Sequence, residues 1–440
     1  MNTSAVPGPK SPRLLQGFAY LRDPLALFDD CARKYGDCFT LRVPTLPATI
    51  CLSDPEAIRE IFARDGTDAI ETGSIFASVM APVVGEHSML VIDGDEHRRH
   101  RSITMPYFAR AQFARLGDTI VELTDREIST WPSGTPFPMR PRMQNITLQV
   151  MLRILFGEHA TSVFTPDLLR RAFGVGPNPF IFYRWARVDL GPRSPWGGFL
   201  RIHREVTESI LAEIRRRRVN GRSSEDVLAS MMRPHGDNGG TMSDEELTDE
   251  VWTLINAGND TTATALAWAI YHLACNPEVL AELRREQSSL GNPTTDQLAQ
   301  LPYLDATVRG VLRISPIFLM VGRRLKEPMR VGDRELPAGT TVAPCIYLPH
   351  RRPDIWHEPK RFNPRRFLDE RHPAHHFFPF GGGIRHCIGA ALAIYEMKLV
   401  LARVFSRMEL RLAPGYVARP RWYFNFIAPS DELPVVARSV

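Results

Sequence analysis

The longest helical pattern in the sequence limits the fold more than any other feature. It runs for about 30 residues from Asp244 to Cys275, which is enough to cross a domain at about 1.5 Å per residue. Its middle, AGNDTT at residues 257–262, is polar, whereas the flanking turns are apolar. A polar centre between apolar flanks favours a functional site over a solvated helix face. We therefore expect one long central helix that carries chemistry.

The other patterns predict a mainly α fold with minor β. Periodicity is mostly helical from about Asp118 to Leu290, and a last helix is predicted from about Cys387 to Met408. Short strands are predicted at residues 39–43, 48–52, 329–331 and 340–347. The sequence has 440 residues and no composition shift or low-complexity linker, so we expect a single domain over residues 1–440, with residues 1–20 as a flexible amino-terminal segment.

Composition and charge exclude several classes of protein. The net charge is only +5, and the arginines are scattered among carboxylates, so nucleic-acid binding has little support. No run of about 18 apolar residues occurs, and the first residues lack the pattern of a signal peptide. We therefore expect a soluble, cytoplasmic protein without a membrane span.

Six cysteines occur without the close pairs of zinc fingers or disulfide frameworks. Five are expected to be small buried residues, and Cys387 is the exception. It lies in the stretch FPFGGGIRHCIG, at the start of the last predicted helix. A helix start stabilises a thiolate, the form in which cysteine binds metals. Glycines at 381, 382, 383 and 389 let the backbone approach a large planar group, and the stretch fits neither phosphate-binding glycine motif.

The pattern Phe380-x-x-Gly383-x-Arg385-x-Cys387-x-Gly389 resembles the haem-binding signature of the cytochrome P450 monooxygenases, in which a cysteine thiolate is the axial iron ligand. The resemblance implies that Cys387 binds the iron and that Gly389 belongs to the haem-binding loop. It also implies that Phe380 packs against the ligand and the haem, while Arg385 pairs with a haem propionate.

The centre of the long helix resembles the oxygen-activation motif of the same family. Cleavage of the O–O bond needs protons, and the resemblance implies that the Thr261 hydroxyl orients the oxygen while the Asp260 carboxylate relays protons. Because Gly258 is a weak helix former and Thr261 can bond a backbone carbonyl, we expect the helix to break or widen here.

The run GDEHRRHR at residues 94–101 places His97 and Arg101 four residues apart, on one helical face. It resembles the family's His-x-x-x-Arg, which implies that both side chains contact haem propionates. The three residues of this run that point elsewhere are expected to form an ordinary solvated face: Arg98, Arg99 and His100.

A further propionate contact is implied for Arg323, where the family has an arginine on the strand that follows residues 316–322. Arg324 is the competing candidate, because two arginines stand side by side.

One position departs from the family pattern. The family has Glu-x-x-Arg on the helix before this strand, whereas this chain has Gly310 and Arg313. Arg313 and the arginine of the following irregular segment, Arg366, therefore lack their expected carboxylate, a loss of about 3–5 kcal/mol in buried pairs. We expect another acid, backbone carbonyls or water to compensate, and we expect Gly310→Glu to raise thermal stability and haem retention.

Membership of this family would imply a helical triangular prism with small β-sheets and haem b (iron protoporphyrin IX) between the long helix and the Cys387 loop. The implied reaction inserts one atom of O2 into a hydrophobic small molecule. Electrons would come from NAD(P)H through a separate reductase and a ferredoxin or flavodoxin, which Arg98, Arg99 and Lys398 would help to steer. A monomer is expected.

The substrate class follows from apolar positions that line the family's active site. Four of them are expected in a loop over the haem, and the candidate contacts are Ile75, Phe76, Val79, Met80, Ala257, Ile317, Phe318 and Phe424. They favour a fatty acid, terpenoid, steroid or polyketide-like substrate. Two alternatives stay open, a peroxide-driven haem peroxygenase and a non-enzymatic haem-binding protein; the Asp260-Thr261 pair argues against the first.

Overall fold

The computed structural model describes residues 6–44, 47–109, 114–173, 187–220, 225–234, 241–291, 293–423 and 426–440. The α-helices in these residues are α1 (Arg13–Arg22), α2 (Pro24–Tyr35), α3 (Pro55–Arg64), α4 (Gly73–Val84), α5 (Gly94–Thr104), α6 (Ala114–Ile128), α7 (Met139–Phe156), α8 (Ala160–Val163), α9 (Pro166–Phe173), α10 (Pro195–Asn220), α11 (Val227–Met231), α12 (Asp244–Cys275), α13 (Pro277–Ser288), α14 (Thr295–Ala299), α15 (Pro302–Ile314), α16 (Arg366–Asp369) and α17 (Ala390–Arg407).

The β-strands of the same residues are short. They are β1 (Cys38–Leu41), β2 (Thr49–Leu52), β3 (Ile70–Glu71), β4 (Phe137–Pro138), β5 (Arg323–Leu325), β6 (Met329–Val331), β7 (Arg334–Leu336), β8 (Thr341–Pro344), β9 (Met408–Leu412), β10 (Pro420–Tyr423), β11 (Phe426–Pro429) and β12 (Pro434–Ser439). The prediction of a mainly α fold with minor β is confirmed. In the residues that the structure describes, no helix is long and apolar enough to cross a membrane.

The chain divides into two compact units, each assembled from separate segments. The first comprises Met1–Glu71, Arg110–Ile146 and Thr261–Val440, and the second comprises Thr72–Ala109 and Thr147–Asp260. The helices α7 and α12 each contribute to both. The single domain expected over residues 1–440 stays a prediction.

The first unit holds a five-stranded sheet in the order β1-β2-β8-β5-β3. Its apolar face packs in one cluster with Ile58 and Ile61 of α3, and Phe378 of the cysteine loop joins the same cluster. Asp54 begins α3 because its side chain accepts the N–H of Ala57 at 2.8 Å, ahead of a proline in the first turn. The core of this unit therefore anchors the cysteine loop on one side.

The amino-terminal segment forms hydrogen bonds and a helix from Val6 onward, and its expected flexibility stays a prediction. Thr40 of β1 donates its N–H to the carbonyl of Pro7 at 2.8 Å and its hydroxyl to the carbonyl of Val6 at 2.9 Å. These bonds add the segment to the edge of the sheet. Residues 1–5 lie outside the described part of the chain.

In the second unit, buried charges fix the helices to one another. The Arg217 guanidinium of α10 contacts Glu213 and Asp226 at 2.6 Å each and donates to the carbonyl of Phe156 at 3.2 Å. All three charged side chains are nearly fully buried, and such a cation is tolerated because its donors are occupied. This network holds α10 against α11 and the end of α7.

The long helix α12 matches its prediction from Asp244 to Cys275, but it neither breaks nor widens at Gly258. A Cβ on Gly258 would lie 2.4 Å from the sulfur of Met151. Glycine therefore lets the Met151 side chain of α7 approach closely, and a larger residue at this position would require that flexible side chain to shift. The hydroxyl of Thr147 holds the same contact by donating to Asn259 Oδ1 at 2.8 Å.

Candidate functional site

A backbone hydrogen bond joins the two ends of the loop that carries Cys387. The Cys387 N–H donates to the carbonyl of Phe380 at 3.0 Å. Helix α17 begins at Ala390, three residues later than predicted, so the cysteine lies just ahead of the first helical turn. Cys387 is exposed, unlike the buried Cys31, Cys51 and Cys345; Cys38 is half-buried, and Cys275 is also exposed, contrary to expectation.

The glycines of this loop serve contacts with α3. A Cβ on Gly382 would lie 2.4 Å from the ring of Phe62, and one on Gly383 would lie 2.3 Å from the carboxylate of Asp65. Gly383 also has a φ of 68°, which other residues rarely adopt. Around Gly389, in contrast, a Cβ would meet no atom within 4 Å. At Gly382 and Gly383 the group that a Cβ would meet is Phe62 of α3 or Asp65, the residue after it, and the predicted approach of the glycines to a large planar group stays a prediction.

A buried ion pair fixes the same loop. Arg323 Nη2 lies 2.8 Å from an oxygen of Asp65, and each side chain is only 2% exposed. The same nitrogen donates to the carbonyl of Gly382 at 3.0 Å. Arg324 is exposed and lies 3.6 Å from Glu71. Of the two adjacent arginines, Arg323 therefore points inward and braces the loop.

The residues of the loop fit the haem that the sequence predicts. The exposed thiol is a suitable iron ligand ahead of a helix start. Phe380 and Arg385 are both half-buried, so each keeps surface for a planar anionic group. The buried Nε of Arg323 has no hydrogen-bond partner among the described residues, and a propionate oxygen would satisfy it.

On α12, one face combines small, polar and acidic residues. Ala257 is exposed in the middle of the helix, and Asp260 and Thr261 are partly exposed, whereas Asn259 and Thr262 are buried. Positions 257, 260 and 261 lie on one helical face because they are three and four residues apart. A hydroxyl and a carboxylate are therefore presented side by side next to a residue without bulk.

The arrangement on α5 agrees with the predicted spacing. His97 is buried and Arg101 is half-buried, so one face of the helix points inward. Arg98 is exposed and lies 2.6 Å from Asp95. The exposed Arg99 forms an ion pair with Glu246 at the start of α12.

His100 contradicts its prediction, because it is fully buried instead of lying on a solvated face. Its Nδ1 lies 2.7 Å from Oε1 of Glu250, which also accepts the N–H of Met89 at 2.8 Å. Its Nε2 lies 3.1 Å from Arg99 and 3.3 Å from Glu246. Nothing in the local pattern distinguished His100 from its exposed neighbours, since its partners are about 150 residues away.

The side chains around His100 include three that could bind a metal ion, but the charge of Arg99 already occupies this cluster. Ligand atoms of Glu96, His100 and Glu246 lie within 4.8 Å of one another. However, the guanidinium of Arg99 already contacts both His100 and Glu246. It supplies the positive charge that a metal ion would bring.

We expect the unfolding free energy to fall with rising pH because of the buried pair formed by His100 and Glu250. Burial lowers the pKa of His100, but the hydrogen bonds and charge of Glu250 and Glu246 outweigh it and raise the pKa; burial raises the pKa of Glu250. A histidine whose pKa is higher in the folded state than in the unfolded state stabilises the folded protein at pH values below the unfolded pKa, which is about 6.5. This stabilisation is lost as the pH rises through the folded pKa. As the pH rises from about 6.5 to 8.5, the unfolding free energy of His100→Gln should fall less steeply than that of the wild type.

Denaturant unfolding across this pH range measures the effect. His357→Gln is the matched control because the His357 side chain is 91% exposed and should leave the slope unchanged. Equal slopes in the wild type and His100→Gln would contradict the assignment.

The predicted substrate contacts are only partly placed as expected. Four of them lie on helix α4 instead of in a loop: Ile75, Phe76, Val79 and Met80. Met80 is buried and the others are partly exposed. Ile317 is buried, and the half-buried Phe318 packs edge-on against Phe426 with ring centres 6.3 Å apart. Phe424 lies outside the described residues.

Backbone carbonyls replace the missing carboxylate beside Arg313. Its guanidinium donates to the carbonyls of His350 at 2.8 Å, Pro359 at 2.7 Å and Arg361 at 3.0 Å. Burial, together with the charges of Arg366 and a neighbouring arginine, lowers the pKa of Arg313 to about 9. One of the three expected compensations is thus confirmed, although among the residues that the structure describes the guanidinium forms no ion pair with a carboxylate.

Arg366 is held in the same way. Its donors contact the carbonyls of Asn363 at 3.2 Å, His357 at 2.9 Å and Arg361 at 3.4 Å. The position of the missing glutamate is packed, because a Cβ on Gly310 would lie 3.2 Å from the ring of Phe362. The proposed gain from Gly310→Glu stays a prediction and requires this ring to shift by a few tenths of an ångström.

Lys398 does not lie on a surface that a partner could reach, which corrects its predicted steering role. The side chain is 7% exposed, and its Nζ contacts Asp305 at 3.1 Å and the carbonyl of Ala299. Lys398 instead joins α17 to α14 and α15.

Comparisons with known proteins agree with the geometry. The family model described as cytochrome P450 matches residues 6–426. A Mycobacterium tuberculosis protein provisionally named cytochrome P450 135B1 is 35% identical over 434 residues, covering 96% of this chain and 89% of the relative. Another protein of the same organism, provisionally named cytochrome P450 138, is 32% identical over 440 residues, which cover 98% of this chain and 96% of that relative.

Two solved structures show the same fold. A cyanobacterial CYP120A1 with bound retinoic acid superposes with a TM-score of 0.88 at 23% identity and covers both chains completely. The haem domain of cytochrome P450DA superposes with a TM-score of 0.85 at 22% identity, covering 99% of this chain and 98% of that one. At these identities the likeness establishes the fold alone.

Proposed function

Because the chain belongs to the cytochrome P450 family and is therefore an oxidoreductase of the monooxygenase class, we propose that it inserts one atom of O2 into a hydrophobic small molecule. The observation that carries this proposal is the exposed Cys387 thiol in a rigid loop ahead of α17. The second oxygen atom leaves as water, and two electrons from NAD(P)H balance the reaction.

Haem, when bound, supplies the redox-active iron on which dioxygen is reduced. The family implies a haem-thiolate cofactor, and we propose that it is haem b, whose iron the Cys387 thiolate would bind. The loop keeps the thiolate in place through the Cys387 N–H bond to Phe380 and through Arg323, which holds the carbonyl of Gly382. The other haem contacts are proposed from the family resemblance: His97, Arg101, Arg323, Phe380, Arg385 and Gly389.

Asp260 and Thr261 are proposed to be the catalytic pair on the protein side. Their shared face on α12 supports this role, because a hydroxyl next to a carboxylate can donate a hydrogen bond to oxygen and be reprotonated by its neighbour. Ala257, on the same face, leaves room beside them. The pair therefore moves protons, while Cys387 serves as an electron-rich ligand.

The proposed electron donor is a ferredoxin or flavodoxin with its NAD(P)H reductase. Arg98 and Arg99 are exposed and support an acidic partner, although each already has a carboxylate neighbour that weakens its field. With Lys398 buried, the proposed docking surface is limited to the two arginines. A monomer and a cytoplasmic location complete the proposal.

For the substrate we propose a fatty acid, terpenoid, steroid or polyketide-like molecule. The support is the apolar character of the candidate contacts on α4, on α12 and after α15. A screen for ligand-induced shifts of the haem absorption band, with retinoic acid among the terpenoids, would identify the class. Shifts with polar metabolites alone would contradict it.

We expect Thr261→Val to separate cofactor consumption from product formation. Valine keeps the shape of threonine but removes the hydroxyl, so product formed per NAD(P)H should fall at least about tenfold, within the range for lost acid–base catalysis. The measurement is NAD(P)H oxidation and product yield with a ferredoxin and its reductase. Thr262→Val is the matched control, because this neighbour is buried, and its coupling should be unchanged.

The same assay tests the alternatives. Equal product yields in Thr261→Val and the wild type would remove the catalytic role of Thr261. Turnover by hydrogen peroxide alone that exceeds turnover with the reductase would favour the peroxygenase. No turnover with either electron source, for ligands that shift the haem band, would favour a non-enzymatic haem protein.

A further inference from the structure

On helix α1 the large apolar side chains face solvent and a polar side chain faces the protein, which is the reverse of an ordinary surface helix. Its large apolar side chains point to solvent: Leu14 is 77% exposed, Leu15 59%, Phe18 62% and Leu21 52%. Positions 14, 18 and 21 are spaced by four and three residues, so they lie on one helical face, with 15 beside them. An apolar strip of this kind is uncommon on proteins that contact only water.

The inward face of α1 is fixed by polar and small residues. Gln16 is 2% exposed; its side-chain nitrogen donates to the carbonyls of Pro9 at 3.1 Å and Ser11 at 2.8 Å, and its oxygen accepts the N–H of Arg42 at 2.9 Å. A Cβ on Gly17 would lie 2.6 Å from Pro44. Because this side is bonded and tightly packed, the helix cannot rotate its leucines inward without losing these contacts.

The far end of the helix is held as well. The Tyr20 ring packs on Trp422 of β10 with centres 4.8 Å apart, and the indole N–H of Trp422 donates to the carbonyl of Tyr20. The apolar strip is therefore presented by a helix that is anchored at several points.

Exposed basic side chains lie close to the strip in sequence and on the neighbouring strand β10. Lys10, Arg13 and Arg22 are exposed, and Arg421 is exposed on β10, which packs against α1. The nearest acid in sequence, Asp23, accepts the N–H of Ala26 and caps α2. An apolar face bordered by cations matches the interface of an anionic bilayer, where leucine and phenylalanine enter the acyl region and arginine contacts phosphates.

We propose that α1 is a membrane-surface anchor that lies flat on an anionic lipid bilayer. The helix has ten residues and is about 15 Å long, which is short for a stable protein interface of about 1,200 Å² or more. Binding to lipid has no such threshold, because its strength grows with the apolar area that is buried and with the attraction between basic side chains and anionic lipids. The proposal does not depend on the reaction proposed above.

Vesicle binding tests this anchor. The full-length protein loaded with haem is sedimented with phosphatidylglycerol vesicles or with phosphatidylcholine vesicles. We expect tighter binding to phosphatidylglycerol, and at least a tenfold loss for the Leu14→Ser/Phe18→Ser double variant. The matched control is Leu190→Ser/Val219→Ser, which removes two apolar side chains that are 78% and 84% exposed elsewhere and should bind within twofold of the wild type.

A second double variant and a control of folding complete the test. Arg13→Gln/Arg22→Gln should lose the preference for phosphatidylglycerol, and an unaltered circular dichroism spectrum for every variant shows that the fold is intact. Equal vesicle binding by the Leu14→Ser/Phe18→Ser variant and the wild type would overturn the proposal. The proposal would also be overturned if the wild type bound no vesicles but formed a dimer in analytical ultracentrifugation that the Leu14→Ser/Phe18→Ser variant did not form. The strip would then contact a second copy of the chain.

Discussion

Cys387→Ser is expected to reduce monooxygenase turnover to background. Changes that only reorient a metal ligand cost about 10–100-fold in activity or metal affinity, so removing the ligand itself should cost more than about 100-fold. A serine hydroxyl is neutral near pH 7 and donates much less electron density to iron than a thiolate does. Product formation with a ferredoxin and its reductase measures the loss, and haem content is measured on the same sample.

The control for this variant is Cys275→Ser. Cys275 is the other exposed cysteine, so a nonspecific effect of thiol removal should appear in both variants. We expect Cys275→Ser to retain wild-type turnover and haem content. Turnover of Cys387→Ser within tenfold of the wild type, at equal haem content, would refute the assignment of Cys387 as the ligand.

Arg313→Ala should lower the unfolding free energy by at least about 3 kcal/mol. The substitution leaves three carbonyls without their donor, and bonds to a charged group contribute about 1.5–3 kcal/mol each. Removing a buried cation that has no ion pair among the described residues offsets part of this cost. Truncation also opens a cavity beside Trp356, whose ring lies 5.1 Å from the guanidinium. Denaturant unfolding of the haem-loaded protein measures the change.

Arg361→Ala is the matched control for this effect, since its side chain is 66% exposed and, in the described part of the chain, forms its ion pair with Glu358. It should change the unfolding free energy by less than about 1 kcal/mol. If both arginine variants lose the same stability, the carbonyl cradle around Arg313 has no special role.

Gly310→Glu and Gly310→Ala complete this series. Both introduce a Cβ against Phe362 and gain about the same helix propensity, about 1 kcal/mol relative to glycine. Only glutamate adds an anion beside the cations, so we expect a higher melting temperature and slower haem loss for Gly310→Glu than for Gly310→Ala. The reverse order would mean that the carbonyls already satisfy Arg313 fully.

Much of the architecture could be predicted from local patterns. Helix α12 and the strands near residues 38–52 and 329–344 form where periodicity and turn residues place them, because burial and backbone geometry act over a few residues. The start of α17 was predicted three residues early, since the cysteine loop bends back to bond Phe380 before the helix can begin. Gly258 was misread because its close neighbour, Met151, lies far away in sequence.

Charged side chains were harder to predict, because their partners are distant in sequence. Asp65 has no local pattern that distinguishes it, yet it forms a buried pair with Arg323 258 positions later. His100 and Lys398 were read as surface residues for the same reason. Arg313 was identified correctly as lacking its acid, since that inference compared two positions three residues apart, Gly310 and Arg313, with the family pattern.

The absorption spectrum of the reduced, carbon monoxide-bound protein tests the central claim most directly. Thiolate ligation by Cys387 predicts the strongly red-shifted haem band that the family owes to its cysteine ligand. The band should be present in the wild type and in Cys275→Ser, and absent from Cys387→Ser. A wild-type protein that is fully loaded with haem but lacks the red-shifted band would contradict the account.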